Sequence, residues 1–293
     1  MLPLLLAQAL LGLLHFGDNK KMQDQKITFK KYWREGDPLV LIDFLEKYSK
    51  LSKSILKKVL NNGSVRLRLE SKSKLKCVRR ASQPLTKDSL IEFYYDAKLM
   101  NLKLPPAEIL FDQREWGIWF KPTGMLSQGN EFGDHCSILR QVEKIKNKAW
   151  LVHRLDREAN GLMLFAYSHK AAALFSDLWQ KHSVRKFYQI EVLGVLEDPV
   201  GEINFPLDGK EARTSYKVIE TGAYTTKVMV EIHTGRLHQI RRHFDLIKHP
   251  VIGDPKYGVG NKNEEGMKLT AFQLIFVDPY TEKEINFSLS NIN

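Results

Sequence analysis

Apolar positions recur along this chain with two different periods, and the changes between them mark its elements. From residue 39 the period is helical. Leu41, Phe44, Leu45 and Tyr48 fall at i, i+3, i+4 and i+7, one face of an amphipathic helix. Ser52 can cap a second helix with the apolar face Ile55, Leu56, Val59 and Leu60, ended by Asn62-Gly63 because glycine supplies a left-handed turn. The period then drops to two. Val65, Leu67 and Leu69 alternate with Arg66 and Arg68, which predicts a strand with one buried and one basic face. Pro105-Pro106 can continue neither a helix nor a central strand, so a boundary falls there. Beyond it, Gly117–Phe120 and the unbroken apolar run Leu162–Ala166 read as strands, the second buried on both faces. Residues 169–182 read as a helix burying Ala172, Phe175 and Trp179. Lys186–Val192 alternates again, with Tyr188, Ile190 and Val192 on one face. A last helix is expected to begin after Thr234-Gly235, with Leu237, Ile240, Phe244 and Ile247 on its buried stripe and Arg241 at the stripe's edge.

These patterns divide the chain into a small module over 38–98, a linker over 99–107 and a larger domain over 108–293. Residues 1–37 are expected to be a poorly ordered extension. Its apolar start, MLPLLLAQALLGLLHF, is short for a membrane span and lacks the basic opening of an export signal, and Met22 is an alternative start.

Charge changes the picture more than composition does. The 293 residues are 43% hydrophobic, which is ordinary, but carry a formal charge of +11, which points to a polyanionic partner. Eleven of the Lys and Arg fall between Lys50 and Arg80 against one acid, Glu70. Lys53, Lys57, Lys58, Arg66 and Arg68 are therefore candidates for a phosphate-binding surface. Two cysteines, Cys77 and Cys136, without CxxC spacing argue against a disulfide framework or thiolate metal site and fit a reducing cytoplasm.

Candidate chemistry centres on LVHRLDREANGLMLFA, residues 151–166. Asp156 lies between His153-Arg154 and Arg157, in a loop feeding the buried strand. Neighbouring guanidiniums hold such an acid ionised, as a nucleophile requires, although a surface ion-pair loop has the same composition. In Thr234–Gly258, Arg241 at the edge of a buried stripe must find an anion, and Asp156 is the natural candidate. Arg236 and Arg242 would then stay free for phosphates. His238 and His243, at i and i+5, splay apart on a helix, so no metal site is expected. Lys121 is expected at the lip of the Lys121-Pro122-Thr123-Gly124 turn. Tyr188 is either core packing or a ring that stacks on a base.

His153-Arg154-Leu155-Asp156 with Gly161-Leu162, Gly235-Arg236-x-His238-Gln239-Ile240-Arg241, and His249-Pro250-x-x-Gly253-Asp254-x-x-Tyr257-Gly258 together resemble the RluA-type pseudouridine synthases. Lys121-Pro122-x-Gly124 and Lys186-x-Tyr188 match further motifs, in family order, from about Ile109 to the C-terminus. The resemblance implies that Asp156 is catalytic, as nucleophile or base at the ribose. It implies that Tyr188 stacks on the base, Arg241 pairs with Asp156, Arg154 helps extrude the nucleotide and Leu269 lines the uracil pocket. His153, Lys121, Arg236 and His238 complete the substrate-side set. The small module resembles, over Leu39–Ala97, the RNA-binding domain named after ribosomal protein S-four, without that domain's usual Asn-Gly hairpin. Ala159-Asn160 stands where the family usually has Thr-Ser, and Thr270 where it usually has His.

The implied fold is α+β: a small α/β RNA-binding domain, then a catalytic domain with a largely antiparallel mixed sheet and a central cleft. The implied reaction isomerises uridine to pseudouridine in RNA, in large-subunit ribosomal RNA first and transfer RNA next. It needs no cofactor and no metal, and is carried out by a cytoplasmic monomer without a membrane or obligatory protein partner. The alternative is an inactive RNA-binding protein of the same fold that aids ribosome assembly. A glycoside hydrolase would need a second catalytic carboxylate in the same cleft.

Overall fold

The structure, a computed structural model, describes residues 25–291, and these form two compact units. The first runs to Lys103 and takes in Gly129–Cys136. The second comprises Leu104–Gln128 and the chain from Ser137 onward.

The first unit is a four-stranded antiparallel sheet carrying two helices. Its strands are β1 (Lys26–Tyr32), β2 (Val65–Arg68), β3 (Lys76–Cys77) and β4 (Leu90–Asp96), in the order β1-β4-β2-β3. Helices α1 (Leu41–Ser49) and α2 (Lys53–Asn61) bury Phe44, Leu45, Leu56 and Val59 with Val65, Ile91 and Phe93. Ser52 caps α2, its hydroxyl accepting from the N–H of Ile55. Two expectations need correction here. Residues 26–32 are an ordered edge strand, not part of a loose extension: the alternation of Ile27 and Phe29 with Lys26, Thr28 and Lys30 seats two apolar side chains against the core. Residues 1–24 lie outside the described residues. The expected linker also begins inside a short helix, α3 (Ala97–Asn101), because the Asp96 side chain caps it by accepting from the N–H groups of Lys98 and Leu99. Segment 129–136 joins this unit unforeseen: Asp134 N–H donates to the Asn62 carbonyl at 2.8 Å, and the Ser64 hydroxyl to that of Phe132 at 2.6 Å.

The second unit is built on a ten-stranded sheet. Its strands are β5 (Glu108–Asp112), β6 (Trp116–Lys121), β7 (Trp150–Leu151), β8 (Asn160–Ala166), β9 (Arg185–Leu193), β10 (Val200–Ile203), β11 (Thr214–Thr221), β12 (Thr225–Ile232), β13 (Leu269–Val277) and β14 (Glu284–Ser288). The sheet runs β10-β11-β12-β9-β13-β8-β6-β5, with β14 beside β13 and β7 beside β8. Strands β13 and β8 are parallel, and the other pairings among the described residues are antiparallel. This is the mixed, largely antiparallel sheet of the α+β class that the sequence implies. At the parallel junction Gly161 has φ +113°, and a Cβ there would lie 2.3 Å from the Ala271 carbonyl oxygen, so glycine is required.

The unbroken run of β8 is explained by a core on each face. Met163 and Phe165 join Trp119, Ile190 and Phe244, whereas Leu162 and Leu164 join Trp116, Phe175 and Phe276. Helix α4 (Ile138–Lys146) packs into the first core and α5 (His169–Gln180) into the second. Helix α6 (Gln239–Leu246) starts later than its periodicity suggests. His238 sits in the left-handed region at φ 53°, which breaks the helix and leaves Leu237 59% exposed instead of buried. No helix among the described residues is long and apolar enough to cross a membrane.

Candidate active site

The loop that carries Asp156 is fixed from beneath by two polar side chains. The Ser127 hydroxyl donates to the Leu155 carbonyl at 2.6 Å and accepts the Leu155 N–H at 2.9 Å, so both backbone groups of the residue before Asp156 are held. Lys121, at the end of β6, is fully buried. Its ammonium donates to the carbonyls of Ala159 at 2.6 Å, Met125 at 2.9 Å and Pro122 at 3.1 Å. Burial pushes Lys121 down to about 8, against the pull of Asp156 and Glu158. Lys121 is therefore not at a solvent-facing lip: it gathers loop carbonyls that would otherwise be buried without donors.

From the other side comes α6. Arg241, 2% exposed, reaches Asp156 with Nη1 to Oδ2 at 2.9 Å. Its other edge binds Asp254 twice, Nε to Oδ2 at 2.7 Å and Nη2 to Oδ1 at 2.8 Å. Burial would lower the Arg241 pKa, but the two carboxylates more than offset it and hold the guanidinium charged. Burial likewise works against ionisation of Asp254. Arg241 and the N–H groups of Lys256 and Tyr257 overcome it and keep that carboxyl below its usual range. A bidentate pair to Asp254 fixes the fork in space, so the remaining Nη1 aims at Asp156 with little freedom. In the sequence Asp254 stands only as part of a motif, with no role of its own. The signal for its role was the need of a buried fork for more than one anion.

Asp156 faces a narrow cavity of about 120 Å³, walled by Tyr188, Leu269, Ile240 and Ala159. The cavity shares its rim with a wider groove of about 660 Å³ that reaches Arg154, Arg157, Trp179 and Lys186. Tyr188 is 8% exposed, and burial together with the Asp156 charge keeps its hydroxyl protonated. A pocket with one apolar wall, one aimed carboxylate and a cationic rim suits a flat, uncharged ring attached to an anionic backbone.

The remaining sequence candidates separate. Arg154 is exposed at the rim, as expected of a residue that meets a polyanion. Arg236 lines the cavity, with Nε donating to the Glu211 carbonyl at 2.8 Å. His238 stands 3.8 Å from Asp156 and hydrogen-bonds the Tyr257 hydroxyl at 3.0 Å; burial holds it below its ordinary pKa. His153 belongs to the groove wall, with its ring stacked on Trp179 at 4.6 Å and Nε2 accepting the Leu164 N–H at 2.9 Å. That bond assigns the His153 proton to Nδ1, and burial pushes the ring down to about 3. Arg242 is not free for phosphate, since it makes two bonds to Asp208 at 2.9 and 3.0 Å. His243 is tied to the Thr214 hydroxyl and the Phe205 carbonyl within the core. In the first unit Lys57 and Lys58 are exposed and Arg66 and Arg68 half-buried, while Lys53 pairs with Asp43.

Sequence reasoning misses Ser127, and it places Lys186 and Gln239 in motifs without giving either a role. The Gln239 amide ties Thr234 and Arg236 to Arg213 and Thr214, fixing the loop before α6.

With this geometry in hand, comparison with known proteins is informative. A family profile described as RNA pseudouridylate synthase matches residues 116–246. The dual-specificity RNA pseudouridine synthase RluA of Pasteurella multocida is 33% identical over 187 residues, 57% of this chain and 85% of that protein. The ribosomal large subunit pseudouridine synthase D of Nitrosomonas europaea is 34% identical over 177 residues, 52% of this chain and 50% of that protein. Among solved structures, human RNA pseudouridylate synthase domain containing 1 superposes with a TM-score of 0.54 at 21% identity. It covers 62% of this chain and 82% of its own.

Proposed function

The chain belongs to the RluA-type RNA pseudouridine synthases, isomerases that convert uridine to pseudouridine in RNA, and from that premise we propose that Asp156 is its catalytic residue. The observation that carries this reading is the 2.9 Å contact of Asp156 with a guanidinium locked by Asp254, at the mouth of a pocket lined by Tyr188 and Leu269. The uridine leaves its stack, at a cost of a few kcal/mol, and enters the pocket against the Tyr188 ring. The Asp156 carboxylate then acts at the ribose. The base–ribose bond at nitrogen 1 is cut, the uracil turns within the pocket, and its carbon 5 joins the ribose. Carbon 5 then gives up its proton and nitrogen 1 takes one up, so the product is an isomer. Arg154 at the rim supports the extruded nucleotide, Leu269 packs against the uracil, and Arg236 and His238 bound the cavity.

The target we propose is large-subunit ribosomal RNA, with transfer RNA second. Its support is the basic first unit, which presents Lys57, Lys58, Arg66 and Arg68 as an RNA-binding surface of the S-four type, together with the relative named for the ribosomal large subunit. The chain acts as a monomer in the cytoplasm, where Cys77 and Cys136 stay free thiols. Mapping pseudouridines in total RNA from cells with the gene, without it, and with Asp156→Asn tests the reading. A site lost in both altered strains is the expected result. Unchanged maps with intact RNA binding would instead support the inactive assembly factor.

A further inference from the structure

Lys186 is 7% exposed, yet among the described residues its ammonium has no hydrogen-bond partner and no carboxylate in ion-pair range. Glu231, the acid whose charge it feels, is held elsewhere by Arg185 in two bonds of 2.8 and 3.1 Å. His153, whose ring feels the Lys186 charge, is neutral in the folded protein. The stem of Lys186 is buried while its ammonium opens on the groove, partly desolvated and answered by no anion of the described chain. Such a desolvation cost is kept where a ligand supplies the missing anion.

Position says which anion. Lys186 lies on β9 two residues before Tyr188, on the same face, so the two Cα atoms are roughly 7 Å apart. It lines the wider groove together with Arg154, His153 and Trp179, outside the narrow cavity that Tyr188 walls. A nucleotide whose base occupies that cavity places its own backbone at this distance from the ring.

Resting on the reading of the cleft as an RNA site, we infer that Lys186 binds one backbone phosphate flanking the uridine seated against Tyr188. The contact is a point charge without base preference, so it sets the register of the strand and leaves sequence choice to other groups. It also couples the pocket to the strand: a base without its flanking phosphodiester leaves Lys186 unpaired and binds weakly.

The test uses the full chain, Lys186→Met and Lys186→Arg. Affinity for an unmodified large-subunit ribosomal RNA transcript is measured against salt. A synthetic stem-loop around the mapped uridine then carries a neutral methylphosphonate at each flanking position in turn. Lys186→Met is expected to weaken binding about tenfold or more and to flatten the slope of log K against log salt by about 0.7 to 0.9. One methylphosphonate is expected to weaken the wild type equally and to leave Lys186→Met unaffected, while Lys186→Arg keeps most of the affinity. An unchanged salt slope, or equal sensitivity of wild type and Lys186→Met to every methylphosphonate, overturns the site. The salt comparison needs no turnover. A wild-type chain that shows the slope difference but makes no pseudouridine therefore defeats the catalytic reading and supports the phosphate contact.

Discussion

Two lysines of the second unit are almost equally buried and have opposite surroundings. Lys121 is fully enclosed and gives its protons to the carbonyls of Pro122, Met125 and Ala159, all in or beside the loop bearing Asp156. Lys186, 7% exposed on the groove wall, gives its protons to nothing in the described chain. The first is a charge whose hydrogen bonds are complete, so it shapes the loop. The second is a charge left open toward a groove, the condition of a binding group waiting for its ligand. Burial alone does not separate structure from function here; the partner count does.

The strongest challenge to this contrast is at the carboxylate that the Lys121 loop presents and the Lys186 groove leads to. Asp156→Asn is expected to lower single-turnover pseudouridine formation by about 10³-fold or more while RNA affinity stays nearly unchanged. Turnover within tenfold of wild type would remove its catalytic role. Next in size, Lys121→Met leaves three buried carbonyls without donors and should cost about 2–4 kcal/mol in urea unfolding. A variant as stable as the wild type would show the carbonyl cluster to be dispensable. Lys186→Met is expected to do the reverse, keeping or raising the melting temperature because it removes a partly desolvated charge that makes no bond within the described chain. A loss of stability like that of Lys121→Met would erase the distinction between the two sites.

The smallest effect concerns His153, beside Lys186. Burial first, and then the Lys186 charge, pushes this ring down to about 3, against an ordinary value of about 6.5 when unfolded. Between those values the unfolded chain takes up a proton that the folded chain refuses. Stability therefore rises with pH across that window and is lost as pH falls below about 6.5. His153→Gln keeps an acceptor for the Leu164 N–H and removes the titration, so its stability should decline more gently on acidification. Parallel pH profiles for the two proteins would show that His153 does not titrate in this way.

Much of this site can be read in the order of the residues because its logic is local. An acid flanked by His153, Arg154 and Arg157, a buried apolar run after Gly161, and an arginine on the edge of an apolar stripe are short-range patterns. Each alone also fits a purely structural reading such as an ion pair, and they point to one site only when taken together with the family motifs. The Arg241–Asp156 contact follows from that logic, since a guanidinium against a core requires an anion. The errors have a common origin. The sequence puts Lys121 at a solvent-facing lip because a lysine beside Pro-x-Gly looks the same whether its turn faces water or folds back onto a carbonyl such as that of Ala159, 38 residues later in the chain. Leu237 was expected in the core because periodicity carries the helix two residues too far. The left-handed His238 that ends the pattern has no signature in composition. The strand at 26–32 was hidden behind the apolar N-terminus, although Ile27 and Phe29 alternate as a half-buried strand should.

By itself, the sequence determined that this chain is an α+β protein, that its basic residues cluster before residue 81, and that one acid, Asp156, stands among His153, Arg154 and Arg157. Periodicity, charge density and motif spacing act over a few residues and survive being read along a line. The tertiary structure alone decided which charges are satisfied. Whether Arg242 is spent on Asp208, whether Asp254 locks Arg241, and whether Lys186 is left without a partner depend on atoms brought together from distant segments. Electrostatic energy falls with distance in space and takes no account of separation along the chain.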